Sequence, residues 1–183
     1  MRGTVNVKRT AGALLLLLAS TICAFGQEAG LTDAQIVGII LVANQAEIAA
    51  AQTALRRTQS RSVRFFANRM IDEHGQVNQE TAGLMHRLAA TPQRSGISDA
   101  LAQQSYDDLA RLNAVETHEF DQAYLDREVI FLQQLVKLAN TFIRSTTNAE
   151  LKTLLVRSRL SFIFHLDQAH QLQLALEHPR FGR

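Results

Sequence analysis

Apolar residues recur at helical spacing along almost the whole chain after residue 30, and proline occurs only at Pro92 and Pro179. Residues three or four positions apart lie on one face of a helix, so each stripe predicts an amphipathic helix. No segment alternates between apolar and polar residues for long enough to predict a strand. Many Ala, Leu and Gln residues add to the helical preference. The chain is therefore predicted to be all-α.

Residues 1–26 have the pattern of a secretory signal peptide. Three basic residues and no acidic residue precede an unbroken leucine run at residues 14–18. Ala24 and Gly26 are small residues at the −3 and −1 positions, which predicts cleavage after Gly26. An uncleaved anchor is disfavoured because the apolar stretch, about 15 residues, is shorter than the roughly 20 that span a bilayer. A lipoprotein would be modified at Cys23, but the residue before it is not small.

Removal of this leader changes the charge and the thiol content of the chain. The 183 residues become 157, and the chain loses Cys23 together with Arg2, Lys8 and Arg9. The 19 basic and 17 acidic residues become 16 and 17, so the net charge falls from +2 to −1. A nearly neutral, thiol-free protein fits an oxidising compartment and has no excess positive charge for nucleic acid. We predict an exported protein, periplasmic or associated with the outer membrane, with no nucleic-acid partner.

Four long helices and one short helix are predicted after the leader. The long helices cover residues 32–58, 62–90, 115–145 and 148–177, and the short one covers residues 98–112. The turns inside the first and last pairs are short, and short connections make antiparallel hairpins. The longer segment 92–114 can cross the end or the length of the bundle. We predict a four-helix bundle over residues 27–178 with an extra helix in its second-to-third connection, and a tail at residues 179–183.

Four polar residues interrupt the apolar stripes near the middle of the long helices. Glu47 lies 13 residues before the first hairpin turn and His74 lies 14 after it, while Glu128 and His165 lie 19 before and 18 after the last turn. Residues equally far from a turn share one level, so the four side chains should meet. Such a cluster is typical of a divalent metal site inside a bundle. The alternative is a buried histidine–carboxylate pairing that fixes helix register.

Other features point away from an enzyme or a membrane span. The chain has no Ser/His/Asp pattern, no Gly-rich phosphate loop and no Glu-x-x-His motif of di-iron bundles. Beyond the leader we find no apolar stretch of about 20 residues. A basic cluster surrounds the first hairpin, at Arg56, Arg57, Arg61, Arg64 and Arg69. It is typical of a solvated helix end, with binding of a phosphate or lipid head group as the alternative.

Several segments, in order along the chain, form a recognisable pattern. They are FFANRMIDEH at residues 65–74 with Asn78, FDQAYL at residues 120–125, ELK at residues 150–152, and HL at residues 165–166 with Ala169 and Leu172. The pattern resembles the bacterial family called domain of unknown function 4142, over residues 31–176. The resemblance implies an exported protein with a ferritin-like, up-and-down helical bundle, of a kind described as a predicted outer membrane protein.

The resemblance also bears on the candidate metal site. The family pattern tends to place an acidic residue and a histidine where this chain has Glu73 and His74, and a histidine at the position of His165. It tends to have an Asp-His pair where this chain has Phe131 and Leu132. A histidine cluster typical of the family would therefore be incomplete here, and the resemblance leaves the function open.

Together these features favour a non-enzymatic envelope protein, linked to stress or to interaction with partners, because the bundle is complete and lacks an intact catalytic motif. Two adjacent apolar rows on the third long helix fit either deeper burial or a contact with a second copy or another envelope protein. No cofactor is expected on this interpretation. The alternative is a ferritin-like metal-binding protein that holds Fe, Mn or Zn. Its ligands would be Glu47, His74, Glu128 and His165.

Overall fold

The structure is a computed structural model that describes residues 30–177. This part of the chain forms five α-helices and no strand: α1 (Asp33–Arg57), α2 (Arg61–Arg87), α3 (Gly96–Ala114), α4 (Phe120–Ser145) and α5 (Ala149–Glu177). The predicted all-α bundle with an extra helix in the second-to-third connection is confirmed. The predicted signal peptide at 1–26, its cleavage site and the tail at 179–183 lie outside the described residues.

Polar residues cap the start of the first helix and of the last helix. The Thr32 side chain accepts a hydrogen bond from the backbone N–H of Gln35, and the Gln35 side chain accepts one from the backbone N–H of Thr32. The Asn148 side chain accepts a 2.9 Å bond from the backbone N–H of Leu151. Each cap satisfies donors that the first helical turn leaves free. These caps fix where α1 and α5 begin. They thereby fix the height along the bundle of each later residue in these two helices.

Three helices have boundaries that differ from the prediction by two residues or more. α2 ends at Arg87 and not at residue 90, since Ala89 has a left-handed backbone with φ 47°, and α3 ends at Ala114, two residues late. α3 begins at Gly96, two residues early, because Ser95 and Ser98 hydrogen-bond reciprocally to each other's backbone. α4 begins at Phe120 and not at residue 115. The reason is that Val115, the residue that ends α3, has an extended backbone, so no helix runs through it.

α3 carries the chain back along the length of the bundle. Before α3, the backbone N–H of Gln93 donates to the carbonyl of Ala34, at the start of α1, over 2.9 Å. After α3, the guanidinium of Arg57, at the end of α1, donates to the carbonyls of Leu112 and Val115. α3 thus runs parallel to α1, and α4 starts where α1 ends. This arrangement makes α1 and α4 antiparallel and brings their middle turns to one level.

The core combines small side chains on α1 with large ones on the other helices. The buried face of α1 is rich in alanine, at Ala43, Ala46, Ala50, Ala51 and Ala54. Aromatic rings fill the facing space, from Phe66, Phe120, Tyr124, Phe131, Phe142 and Phe162. Small residues let helices approach closely, and close packing leaves little room for solvent. The same packing encloses the polar side chains at the middle of the bundle.

By length and composition, α1 could cross a membrane, since its most apolar window has a mean hydropathy of 1.5. Leader sequences and the core helices of proteins outside membranes pass the same test. Half of that window is buried inside the protein, and its apolar residues pack on α2, α3 and α4. The apolar character of α1 is thus used in the core of the bundle.

Gly38 lies where α1 meets the segment before α3. A Cβ atom at Gly38 would lie 2.0 Å from the carbonyl oxygen of Gln93, whose backbone N–H is bonded to Ala34. We expect Gly38→Ala to lower the free energy of unfolding by about 1–3 kcal/mol, the usual range for overpacking. Gly75→Ala in α2 is the matched control, because its surroundings are open and alanine favours helix by about 1 kcal/mol. Urea denaturation measures both, and equal effects would contradict the close contact.

Candidate functional site

A layer of polar side chains crosses the middle of the bundle. The four residues predicted as ligands all belong to it and are almost completely buried: Glu47 of α1, His74 of α2, Glu128 of α4 and His165 of α5. Arg127 of α4, 8% exposed, completes what we call the polar layer. The structure brings the four predicted residues together, and within the layer they separate into a carboxyl group pair and a histidine pair.

Arg127 joins the two buried carboxyl groups. Its Nη1 atom lies 2.8 Å from Oε1 of Glu47 and 3.0 Å from Oε1 of Glu128. Its Nε atom lies 3.5 Å from Oδ2 of Asp108 on α3, and its guanidinium lies 4.1 Å from the ring centroid of Phe131. Arg127 therefore ties α1, α3 and α4 together. The guanidinium supplies the positive charge between the two glutamates.

The two glutamates differ in protonation. Burial by itself raises the pKa of Glu47, but the charge of Arg127 and a hydrogen bond from Glu128 help to hold that pKa below its ordinary value. Burial, and then the negative charge of Glu47, raise the pKa of Glu128 well above its ordinary value, and Arg127 offsets only part of this. Glu128 therefore keeps its proton at a pH where Glu47 has lost its own. The positive charge of Arg127 and the proton retained by Glu128 together offset the negative charge of the two carboxyl groups.

His74 is oriented by an amide on α1. The Nδ1 atom of His74 lies 2.9 Å from Oδ1 of Asn44, and Nδ2 of Asn44 donates over 2.9 Å to Oδ1 of Asn78. Because the amide oxygen can only accept, Nδ1 of His74 carries the proton and donates it. The Nε2 atom of His74 is buried and has no hydrogen-bond partner in the described structure. Nε2 therefore presents a lone pair to the interior.

His165 has the opposite arrangement of its ring nitrogens. Its Nε2 atom lies 2.8 Å from Oε2 of Glu73 on α2, and the carboxylate accepts the N–H. Its Nδ1 atom is buried and without a hydrogen-bond partner among the described residues. In the neutral ring Nδ1 then carries the lone pair. Each of the two histidines is thus held through one nitrogen and free at the other.

The two imidazoles lie side by side in an aromatic enclosure. The ring centroids of His74 and His165 are 5.7 Å apart. Phe162 stacks on His74 with an interplanar angle of 10°, and Phe66 meets His165 edge-on at 88°. Burial lowers the pKa of His74 to about 4; Glu47 opposes this shift, and His165 and Arg127 add to it. His74 is therefore a neutral imidazole near neutral pH.

The two unpartnered imidazole nitrogens suit a transition metal better than a cation that prefers carboxylate ligands. Neutral imidazole nitrogens bind zinc, copper, iron and nickel, and such ligands use their other nitrogen to donate to a carboxylate or carbonyl. Two rings that share one ion at about 2.1 Å per nitrogen have centroids about 5 Å apart at a tetrahedral angle, close to the observed 5.7 Å. Within residues 30–177, no group of three or more His, Cys, Asp or Glu side chains could hold a metal ion.

Sequence reasoning missed the residues that organise the polar layer. Arg127 lies between Tyr124 and Phe131 at helical spacing, and Asp108 lies between Leu101 and Leu112 in the same way. Charged residues on an apolar stripe were the available signal. Glu73 belongs to the segment that carries the family resemblance, but the sequence does not show that it contacts His165, and Asn44 had no signal, because the partners of both residues lie on another helix.

The basic cluster around the first hairpin serves in part as structure. The guanidinium of Arg64 donates to the carbonyls of Leu55 and Thr58 at 3.0 and 2.9 Å, and Arg57 binds carbonyls at the end of α3. These contacts satisfy carbonyls that helix ends leave free. They agree with a helix-end role for the cluster.

Two solved structures share the fold. The crystal structure of a DUF305 fragment from Deinococcus radiodurans aligns with a TM-score of 0.68 and 17% identity, covering 76% of this chain and 93% of that chain. A structure of CopM in the Cu(I)-bound form aligns with a TM-score of 0.64 and 17% identity, covering 78% of this chain and 96% of that chain. No curated protein sequence matches the chain.

One family matches the sequence itself. Residues 23–172 match the family described as "Domain of unknown function (DUF4142)". The matched stretch contains α1 to α4 and most of α5, and with them every member of the polar layer. It agrees with the resemblance carried by the segments at residues 65–74, 120–125, 150–152 and 165–166. The chain therefore belongs to the DUF4142 family.

Proposed function

We propose that this protein is an exported, non-enzymatic bundle protein of the cell envelope that binds one transition-metal ion through His74 and His165. One observation carries the metal part of this proposal. The two buried imidazoles lie 5.7 Å apart, and each has one nitrogen bonded to an acceptor and the other without a partner among the described residues. A bound ion would give both of these nitrogens a partner.

The surroundings of the histidine pair support this proposal. Asn44 and Glu73 stand where the outer hydrogen-bond acceptors of metal-binding histidines stand, and such partners orient the ring. Phe66 and Phe162 cover the rings. A protein with the same fold, CopM, is described in a Cu(I)-bound form, which supports a metal-related role without fixing the metal.

The pair of carboxyl groups, Glu47 and Glu128, supports the proposal that the protein is not an enzyme. Di-iron bundles bind their metals through several carboxylates as well as histidines. Here Glu47 and Glu128 are joined by the guanidinium of Arg127, and Glu128 retains a proton. The two glutamates are thereby committed to each other and to Arg127, which leaves the histidines as the donors. Export is supported by the leader pattern of residues 1–26 and by the absence of cysteine after Cys23.

Elemental analysis of tag-free protein tests the proposal. Protein from the periplasmic fraction should have the mass of a chain beginning at Gln27 and should contain one equivalent of metal after exposure to Zn²⁺ or Cu²⁺. The double variant His74→Gln and His165→Gln should lose that equivalent while keeping its helical circular dichroism. The matched control replaces the exposed His86 and His170 with alanine and should keep it. A wild type without stoichiometric metal, or a double variant that retains it, would overturn the metal site.

A further inference from the structure

Surface grooves run along the seam between α2 and α5. One groove, of about 730 Å³, lies between residues 79–87 of α2 and residues 149–157 of α5. A second, of about 380 Å³, lies between residues 61–66 of α2 and residues 168–172 of α5. The stretch of seam between the two grooves is level with His74 and His165. Both grooves therefore approach the polar layer from the same side of the bundle.

Glu73 bridges this middle stretch of the seam. Its side chain is 40% exposed, while that of His165, which it contacts at 2.8 Å, is 1% exposed. Glu73 thus faces solvent on one side and contacts a buried imidazole on the other. A carboxylate at the mouth of a buried site raises the local concentration of cations. A cation that binds Glu73 has the buried imidazole of His165 directly beside it.

Arg69 forms an ion pair with Glu73 on the same helix. Its Nε atom lies 3.6 Å from Oε1 of Glu73, one helical turn away, and its Nη1 atom donates over 3.2 Å to Gln168 on α5. Its guanidinium lies between the rings of Phe65 and Phe164, at 5.5 and 5.3 Å from their centroids. The arginine therefore spans the seam, contacts two aromatic rings, and has its positive charge beside the carboxylate.

We infer that metal ions reach the histidine pair through Glu73 and that Arg69 restricts this route. This inference rests on the proposed function, because it takes the two imidazoles as the destination. Glu73 would exchange Arg69 for the arriving cation, the hydrogen bond that His165 donates to Glu73 would open, and the ion would pass between α2 and α5. The step makes and breaks only coordination bonds and hydrogen bonds.

A second ion pair on the same seam provides a matched control. Oε2 of Glu80 on α2 lies 2.7 Å from Nη2 of Arg157 on α5. This pair joins the same two helices and contacts neither histidine. Any general effect of loosening the seam would appear equally in variants of Glu80 and Arg157.

Stopped-flow mixing of the apoprotein with Cu²⁺, followed by the visible absorption of the bound ion, measures the loading rate. Glu73→Gln should slow loading by about tenfold and Arg69→Gln should accelerate it by about tenfold, because charges at a site entrance change association rates by factors of about 10 to 1,000. Glu73→Asp, which keeps the charge, should restore most of the wild-type rate. At saturating Cu²⁺ the Arg69→Gln variant should bind one equivalent, whereas Glu73→Gln, which removes the carboxylate that orients His165, should bind it about 10–100-fold more weakly. Glu80→Gln and Arg157→Gln should load at the wild-type rate.

The outcomes separate the two proposals. A wild type that binds one equivalent, together with a Glu73→Gln variant that loads at the wild-type rate, overturns the route and leaves the metal site standing. Equal slowing by Glu80→Gln also overturns the route. A wild type that binds no Cu²⁺ overturns the proposed function and the route with it.

Discussion

Replacing Arg127 with methionine should lower the free energy of unfolding by about 3–5 kcal/mol, because removal of one partner leaves the other as an uncompensated buried charge. Methionine keeps the apolar stem and removes the guanidinium that lies 2.8 Å from Glu47. Asp108, which is also buried, loses its contact at 3.5 Å. Stabilities of small proteins are about 5–15 kcal/mol, so a loss of this size would be visible in any denaturation curve.

Two further variants make this prediction specific. Arg144→Met changes an exposed arginine on the same helix and should alter the free energy of unfolding by less than about 0.5 kcal/mol. Adding Glu47→Gln to Arg127→Met should recover most of the loss, since replacement of a whole buried ion pair is often neutral or stabilising by about 1–4 kcal/mol. Urea denaturation followed by circular dichroism compares all three. An Arg127→Met protein as stable as the wild type would show that Glu47 is not ionised.

Variants of His74 and Glu128 should respond to pH in opposite directions. The folded protein lowers the pKa of His74 from 6.5 to about 4 through burial. Between these values the unfolded chain binds a proton that the folded chain does not, so His74 makes stability rise with pH. For one proton, the free energy of unfolding changes by about 1.4 kcal/mol per pH unit, so it rises by about 3 kcal/mol between pH 4 and 6.5.

Glu128 acts in the other direction over the same pH range. Its folded pKa is raised above the ordinary 4.5, first by burial and then by the charge of Glu47. Above pH 4.5 the folded chain therefore holds a proton that the unfolded chain releases. Stability contributed by Glu128 falls as pH rises toward its folded pKa. In the wild type the two contributions therefore oppose each other above about pH 4.5.

Replacing either residue leaves the contribution of the other to the pH dependence of stability without opposition. Relative to the wild type, the stability of Glu128→Gln should rise more steeply with pH above pH 4.5, and that of His74→Gln should lose a slope of about 1.4 kcal/mol per pH unit between pH 4 and 6.5. Glutamine resembles a protonated glutamate, so Glu128→Gln preserves the hydrogen bond to Glu47. Urea denaturation at half-unit pH steps measures the slopes, with His86→Gln as the exposed control. Parallel curves for the two variants would contradict the assigned protonation states.

The sequence predicts the fold because each helix boundary depends on nearby residues. Thr32 and Asn148 cap the helices that follow them, and Pro92 lies in the connection before α3. The shared level of the polar layer is also predictable, because short turns fix how antiparallel helices align. Whether the connection crosses the end or the length of the bundle was left open, since it depends on contacts such as that of Gln93 with Ala34.

The contacts within the site are not predictable in the same way. Arg127 has a long side chain, and its direction is set by carboxyl groups that α1 and α3 supply. Glu73 follows the same logic, because it adjoins His74 in sequence but serves His165, 92 residues away. Helical periodicity places a residue on a face and does not say which helix its side chain will reach.

The bond between Arg127 and Glu47 joins residues 80 positions apart, whereas His74 and Asn44 are 30 apart. The histidine is therefore oriented within the first hairpin, while the buried charges meet only when the second hairpin docks. A bundle docked one turn out of place would bury Glu47 without the guanidinium of Arg127, at a cost of several kcal/mol. Correct docking of the two hairpins is thereby favoured by the contact between Arg127 and Glu47.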